Sequence, residues 1–138
     1  MNLELVGREH QTRPPKLPTR GRLGDIIWFH DYVTEAKPAN RPPVPVDGHH
    51  SGWCTCVQDN TGVWLCQVGF DLPGMPGAAG FDRGGRIHSG GLIDFGAAPP
   101  YENPIWGGTG DYRGRQGYVT LDELNRPARL KWTVNLLP

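Results

Sequence analysis

The sequence of 138 residues lacks a charge excess and a long apolar run, and each absence excludes a class of partner. Fourteen basic and fourteen acidic residues cancel, and no basic stripe is present, so neither nucleic acid nor an anionic membrane is an expected partner. No stretch approaches the roughly 20 apolar residues of a membrane span. The first ten residues lack the basic start and apolar stretch of a signal peptide, which predicts a cytoplasmic protein.

Cysteine is scarce, with three residues at Cys54, Cys56 and Cys66. The spacing favours buried thiols on a hairpin. A cross-strand disulfide from Cys54 or Cys56 to Cys66 is the second interpretation. A zinc site is the third and weakest, because three thiols lack the paired C-x-x-C knuckles of structural zinc sites. No metal ligand is therefore assigned, and the adjacent His49 and His50 would point to opposite faces of a strand.

No convincing helical pattern is present, whereas glycine (20), proline (14) and aromatic residues are plentiful. Apolar residues alternate with period 2 between turn signals, which predicts an antiparallel all-β domain that closes into a barrel or folds into a sandwich. We expect one domain, 1–138, in which 1–22 form an arm or first strand (1–8) plus an irregular linker (11–22). Further strands are predicted at 25–34, 50–58, 63–72, 86–95, 116–122 and 130–137, with a short one ending at 105. Long loops rich in proline or glycine are predicted at 37–48, 73–85 and 96–104.

Asp31 is the most informative residue of the first clear strand. Alternation places Ile27, Phe29 and Val33 on the same face as Asp31, and Trp28 on the other. A carboxyl that points into a barrel is costly unless it is paired, and burial favours its neutral form. Asp31 is therefore a candidate general acid or base, with a solvent-facing or subunit-facing carboxyl as the alternative.

Three segments, in order along the chain, resemble the allene oxide cyclase and dirigent barrel superfamily. Residues 107–117 (Gly-Gly-Thr-Gly-Asp-Tyr-Arg-Gly-Arg-Gln-Gly) resemble its G-G-T-G-x-[FY]-x-x-[AR]-x-G signature. Residues 24–31 (Gly-Asp-Ile-Ile-Trp-Phe-His-Asp) resemble the first long strand of dirigent-type proteins. The Gly-Trp-Cys and Trp-Leu-Cys segments at 52–54 and 64–66, followed by 91–95, are similar to bacterial members.

This resemblance implies an all-β fold, an eight-stranded antiparallel up-and-down β-barrel with a hydrophobic cavity and no cofactor. The long Pro/Gly-rich loops predicted above are not typical of the family. It also implies a homo-oligomer, a dimer or trimer. The expected partner is a small apolar organic ligand. The expected function is a cofactor-free cyclase or isomerase acting on an apolar unsaturated intermediate in bacterial natural-product biosynthesis, by ring closure or cycloaddition. The alternative is a non-catalytic dirigent-like binder that steers the stereochemistry of a reaction started by another enzyme.

The candidate site residues follow from the strand faces and from this resemblance. Asp31 is the expected proton-transfer or charge-stabilising group, and Arg113 or Tyr101 is expected to assist it at a carbonyl. Arg113 and Asp111 lie in the segment that matches the signature, and a surface ion pair is their alternative role. The predicted substrate-binding residues are Ile27, Phe29, Trp106, Asp111 and Trp132.

Overall fold

The computed structural model describes residues 2–13, 20–36, 48–123 and 130–138, and these form a closed barrel of eight antiparallel strands. Each strand pairs with its neighbours in sequence, and β1 pairs with β8 to close the barrel. The strands are β1 (Asn2–Arg13), β2 (Ile26–Glu35), β3 (Gly48–Cys56), β4 (Val63–Pro73), β5 (Gly84–Asp94), β6 (Tyr101–Gly108), β7 (Gly117–Glu123) and β8 (Leu130–Leu136). The predicted eight-stranded up-and-down β-barrel is thus confirmed.

Strand β2 shows how period-2 alternation builds the wall. Ile27, Asp31 and Val33 are buried inside the barrel, whereas Trp28 is 56% exposed on the outside. In the hairpin from β3 to β4, Asn60 adopts a φ of 55°, a conformation that asparagine tolerates in turns. None of the described ranges contains a helix long and apolar enough to cross a membrane.

Two predicted loops are partly strand, and both corrections have a physical reason. Strand β1 runs to Arg13, into the predicted linker 11–22, because β2 offers its backbone a partner as far as the pair Arg13–Trp28. Strand β6 begins at Tyr101, inside the predicted loop 96–104. Pro104 is tolerated there because it lies next to a register shift between β5 and β6, where a missing amide proton costs little. Most of the predicted loop 37–48, and residues 14–19 of the linker, lie outside the described residues.

The two ends of the barrel differ in what fills them. Successive connections of an up-and-down barrel lie at opposite ends, so the β4–β5 and β6–β7 connections share one end. Leu72, Met75, Phe81 and Tyr112 are buried there in one apolar cluster, and we call this the closed end. The last residues of β1, β3, β5 and β7 lie at the other end, which we call the open end. This difference between the two ends decides where a ligand can enter.

Candidate active site

A cavity of about 340 Å³ occupies the half of the barrel nearer the open end. Phe95, Ala97 and Pro99, from the end of β5 and the connection that follows it, line its mouth. The volume falls within the usual range of small-molecule pockets, roughly 300–1,000 Å³. The barrel interior is therefore large enough to hold a small organic molecule.

Small inward-facing residues create this space. The register sets Phe29 beside Gly52 and Val68, and Cys54 beside Cys66 and Gly91. In the closed half, by contrast, the inward positions carry large side chains such as Phe70 and Ile87, which are fully buried. Glycine and cysteine at these positions leave space that large side chains would fill, and the cavity lies beside them.

The wall of the cavity is mostly apolar, with a few polar side chains. Among the described residues, the polar wall side chains are those of His50, Ser89, Tyr101 and Asn103. The apolar wall includes Ile27, Phe29, Val68, Phe70, Ile93, Val119, Leu121 and Trp132. Such a surface fits an apolar ligand that carries few polar groups.

A buried pair of ionisable side chains stands at this wall. Asp31 on β2 is fully buried, and its Oδ2 lies 3.0 Å from Nδ1 of His50 on β3. When Asp31 is ionised, its carboxylate can only accept, so Nδ1 carries the proton and donates this hydrogen bond. Asp31 does not itself line the cavity; it lies behind His50, which does. The pair can therefore present an oriented imidazole to a ligand.

Aromatic rings fix the orientation of His50. Its ring centroid lies 4.4 Å from that of Trp132, 4.6 Å from that of Phe70 and 5.1 Å from that of Phe29, where the rings stack. Packing on several sides leaves the imidazole few rotamers, which is what an acid–base group needs in order to meet its substrate in one geometry.

Four of the predicted substrate-contacting residues lie at the cavity. Ile27, Phe29, Tyr101 and Trp132 all line it. The Tyr101 hydroxyl donates a hydrogen bond of 2.9 Å to the carbonyl oxygen of Ala97. This bond ties the phenol to the connection at the mouth.

The expected positions of Trp106, Asp111 and Arg113 need correction. Trp106 is 57% exposed on the outer surface, where its ring stacks on His88. It faces outward because it alternates along β6 with the buried Asn103 and Ile105. Asp111 and Arg113 lie in the β6–β7 connection at the closed end, away from the mouth of the cavity.

The glycine-rich segment has a structural role at the closed end. Asp111 Oδ2 accepts hydrogen bonds from the backbone amides of Arg83 and Gly84 at 2.8 and 2.7 Å. The hydroxyl oxygen of Thr109 accepts another from the amide of Arg86. This segment therefore fastens the β6–β7 connection to the start of β5.

No ligand-binding or acid–base role was predicted from the sequence for His50, Ser89 or Asn103. A signal existed for His50, because it shares period-2 parity with Cys54 and Cys56 and so belongs on the apolar face of its strand. Asn103 lies in a segment that was predicted to be a loop, so its face could not be assigned. Ser89 is fully buried, and its hydroxyl donates to the carbonyl oxygen of Pro104 at 2.9 Å.

The cysteines correct the interpretation that the sequence favoured. Cys54 and Cys66 form a disulfide between paired strands, and Cys56 is free and buried. The second interpretation therefore holds for two of the three residues. The disulfide is part of the cavity wall. Within the part of the chain that the structure describes, no three His, Cys, Asp or Glu side chains are grouped so that they could hold a metal ion.

Comparison with protein family models and with curated protein sequences finds no match. Solved structures with a similar fold include one titled pyocyanin demethylase, with a TM-score of 0.66 and 20% sequence identity over 99% of this chain and 98% of that one. A pterocarpan synthase dirigent protein gives a TM-score of 0.70 at 15% identity over 97% of this chain and 84% of that one. Identities this low establish a shared fold alone. The fold expected from the dirigent resemblance is thereby confirmed.

Proposed function

We propose that the barrel binds an apolar, conjugated carbonyl compound and that His50, held by Asp31, transfers a proton on it, as in a cofactor-free isomerase or cyclase. One observation carries the proposal: a buried carboxylate–imidazole pair that meets an otherwise apolar cavity. Apolar walls alone would serve binding. The pair adds an oriented acid–base group, and such groups in a water-poor cleft are characteristic of catalytic sites.

The geometry divides the work between the two residues. His50 contacts the ligand, and its Nε2 takes a proton from a carbon of the conjugated system. The electrons move toward the carbonyl oxygen, and the same nitrogen returns the proton at another carbon, so the double bond shifts without oxidation or reduction. Asp31 is a positioning residue, because its carboxylate fixes the protonated Nδ1 and stabilises the imidazolium that forms.

Two proteins with a similar fold support a small organic ligand for this barrel, although their titles do not mention a conjugated carbonyl compound. A pterocarpan synthase dirigent protein and a pyocyanin demethylase carry small organic molecules in their titles, and both share this barrel. The predicted alternative, a dirigent-like binder that only steers another enzyme's reaction, uses the same cavity. The two functions differ in whether the protein alone moves a proton.

Hydrogen–deuterium exchange tests this difference directly. The protein is incubated in deuterium oxide with 3-methylcyclohex-2-enone, a small conjugated ketone, and exchange at its carbon positions is followed by NMR. We expect exchange above the buffer rate, and a loss of at least tenfold in His50→Gln and Asp31→Asn. His88→Gln and Asp82→Asn, on the outer surface and on an exposed loop, are the matched controls and should retain the wild-type rate.

Two outcomes decide against catalysis by the pair. Exchange at the buffer rate, despite binding of the ketone, would favour the non-catalytic binder. Full exchange in His50→Gln would remove the imidazole from the chemistry.

A further inference from the structure

Asn103 is the polar wall residue whose side chain the fold leaves unused. It lies on β6 and lines the cavity, and only 9% of its surface is exposed. The other three polar wall side chains have partners: His50 bonds Asp31, the Ser89 hydroxyl bonds Pro104, and the Tyr101 hydroxyl bonds Ala97. Among the residues that the structure describes, no hydrogen bond reaches the carboxamide of Asn103. A carboxamide that faces the cavity and makes no bond within the described part of the protein is available to hydrogen-bond a ligand.

The backbone of β5 makes room for this carboxamide. The oxygen of Asn103 lies 2.6 Å from the point that a Cβ would occupy at Gly91, so any side chain at that position would collide with it. Gly91 also has a φ of 152°, which side chains rarely adopt. The amide is therefore seated against bare backbone at the cavity wall.

The topology sets Asn103 across the cavity from the acid–base pair. In an eight-stranded barrel β6 stands opposite β2, which carries Asp31, and β3 with His50 is next to β2. Both His50 and Asn103 line the same cavity. The space between them is bounded mainly by apolar residues, including Val68 and Leu121.

We propose that Asn103 is a specificity-determining residue that hydrogen-bonds an oxygen atom of the substrate, a carbonyl or a hydroxyl, at the end of a flat apolar molecule opposite the end that meets His50. The carboxamide can donate to either group and can also accept from a hydroxyl. This inference rests on the proposed function, and it adds a substrate class: conjugated or aromatic molecules with an oxygen function at the end remote from the reacting carbon. A carbonyl held by Asn103 would receive the charge that proton removal at His50 sends along the conjugated system.

Equilibrium dialysis with two probes tests the assignment. Naphthalene fits the apolar space without hydrogen bonds, and 2-naphthol adds one hydroxyl. We expect the wild-type protein to bind 2-naphthol more tightly than naphthalene by roughly three- to tenfold, the usual contribution of one neutral hydrogen bond. Asn103→Leu and Asn103→Ala should lose this preference and keep their affinity for naphthalene.

Matched variants separate this role from a structural one. Asn135→Leu removes an asparagine of β8 whose side chain already bonds the Thr133 carbonyl, and it should keep the preference for 2-naphthol. The melting temperature of Asn103→Leu should stay close to that of the wild type, because the substitution breaks no hydrogen bond among the described residues.

Three outcomes overturn the inference, and they are distinguishable. If neither probe binds the wild type, the cavity proposal fails and the inference fails with it. If Asn103→Leu keeps the preference while His50→Phe loses it, the oxygen is bound by the imidazole and the inference alone fails. If Asn103→Leu weakens both probes equally and lowers the melting temperature, Asn103 is a packing residue.

Discussion

The Asp31–His50 pair should add little net stability to the barrel, although losing one partner alone should be costly, and a double-mutant cycle measures this. The perturbations are Asp31→Leu, His50→Phe and the double substitution, which replace each side chain by an apolar one of similar size. Asp31 is fully buried and His50 is 5% exposed. His50→Phe therefore leaves a buried carboxylate without its imidazole, which costs about 3–5 kcal/mol. Asp31→Leu leaves a neutral imidazole and costs about 1–3 kcal/mol.

The double substitution removes both partners, so neither is left buried without the other. We expect it to lose less than about 2 kcal/mol relative to the wild type, because replacing both members of a buried pair by well-packed apolar groups is often close to neutral. The coupling energy between the two sites would then be about 2 kcal/mol or more. Urea unfolding followed by tryptophan fluorescence gives each value from the transition midpoint.

The outer surface supplies a matched control and the result that would refute the reasoning. Asp71 and Arg86 also form an ion pair between adjacent strands, but their side chains are 47% and 34% exposed. The same cycle with Asp71→Asn and Arg86→Gln should give a coupling energy below about 1 kcal/mol. Additive losses at Asp31 and His50 would contradict the argument. If the coupling is strong, a double variant that is stable but no longer catalyses deuterium exchange on the ketone would show that the pair serves catalysis rather than stability.

Three further predictions concern the wall, the closed end and the outer surface. Cys54→Ala with Cys66→Ala, or dithiothreitol on the wild type, should lower the free energy of unfolding by about 3 kcal/mol, because the bridge closes a loop of 12 residues; an unchanged urea midpoint would contradict this. Gly110→Ala should lower the free energy of unfolding by about 2 kcal/mol or more, since Gly110 has a φ of 58° and a Cβ would lie 2.3 Å from the Gly84 carbonyl oxygen. Naphthalene binding should stay unchanged, because this turn is at the closed end. The homo-oligomer remains a prediction: Trp28→Lys, at an exposed outer position, should shift sedimentation velocity toward the monomer, and an unchanged profile would remove this face from assembly.

The sequence was sufficient for the strands whose two faces differ strongly. On β2, alternation predicted the inward set correctly, because one slip of register would have exposed Ile27 and Val33 and buried Trp28. Strand β6 was harder to predict, because prolines just before Tyr101 and at Pro104 are typical of a loop. Only pairing with β7 and the register shift beside β5 show that the segment is a strand.

The site was predicted in part, and the missing part depends on three-dimensional volume. Asp31 could be found locally, since it is a charged residue on an apolar face. Which end of the barrel stays open could not be found this way, because it depends on the summed sizes of inward residues from many strands. For that reason Arg113 and Asp111 were expected near the cavity although they lie at the other end. Asn103 escaped notice because an unpaired amide is recognised only after its surroundings are known.

Two glycines next to the cavity-lining strand positions, Gly52 and Gly91, limit how the ligand range of this barrel can change. A Cβ at Gly52 would lie 2.1 Å from the carbonyl oxygen of Gln67, and Gly91 has a φ of 152° that side chains rarely adopt. Random substitution at these two glycines should therefore damage folding before it narrows the cavity. Evolution, or a designer, would have to reshape the cavity through residues such as Val68 and Leu121, whose side chains already face it.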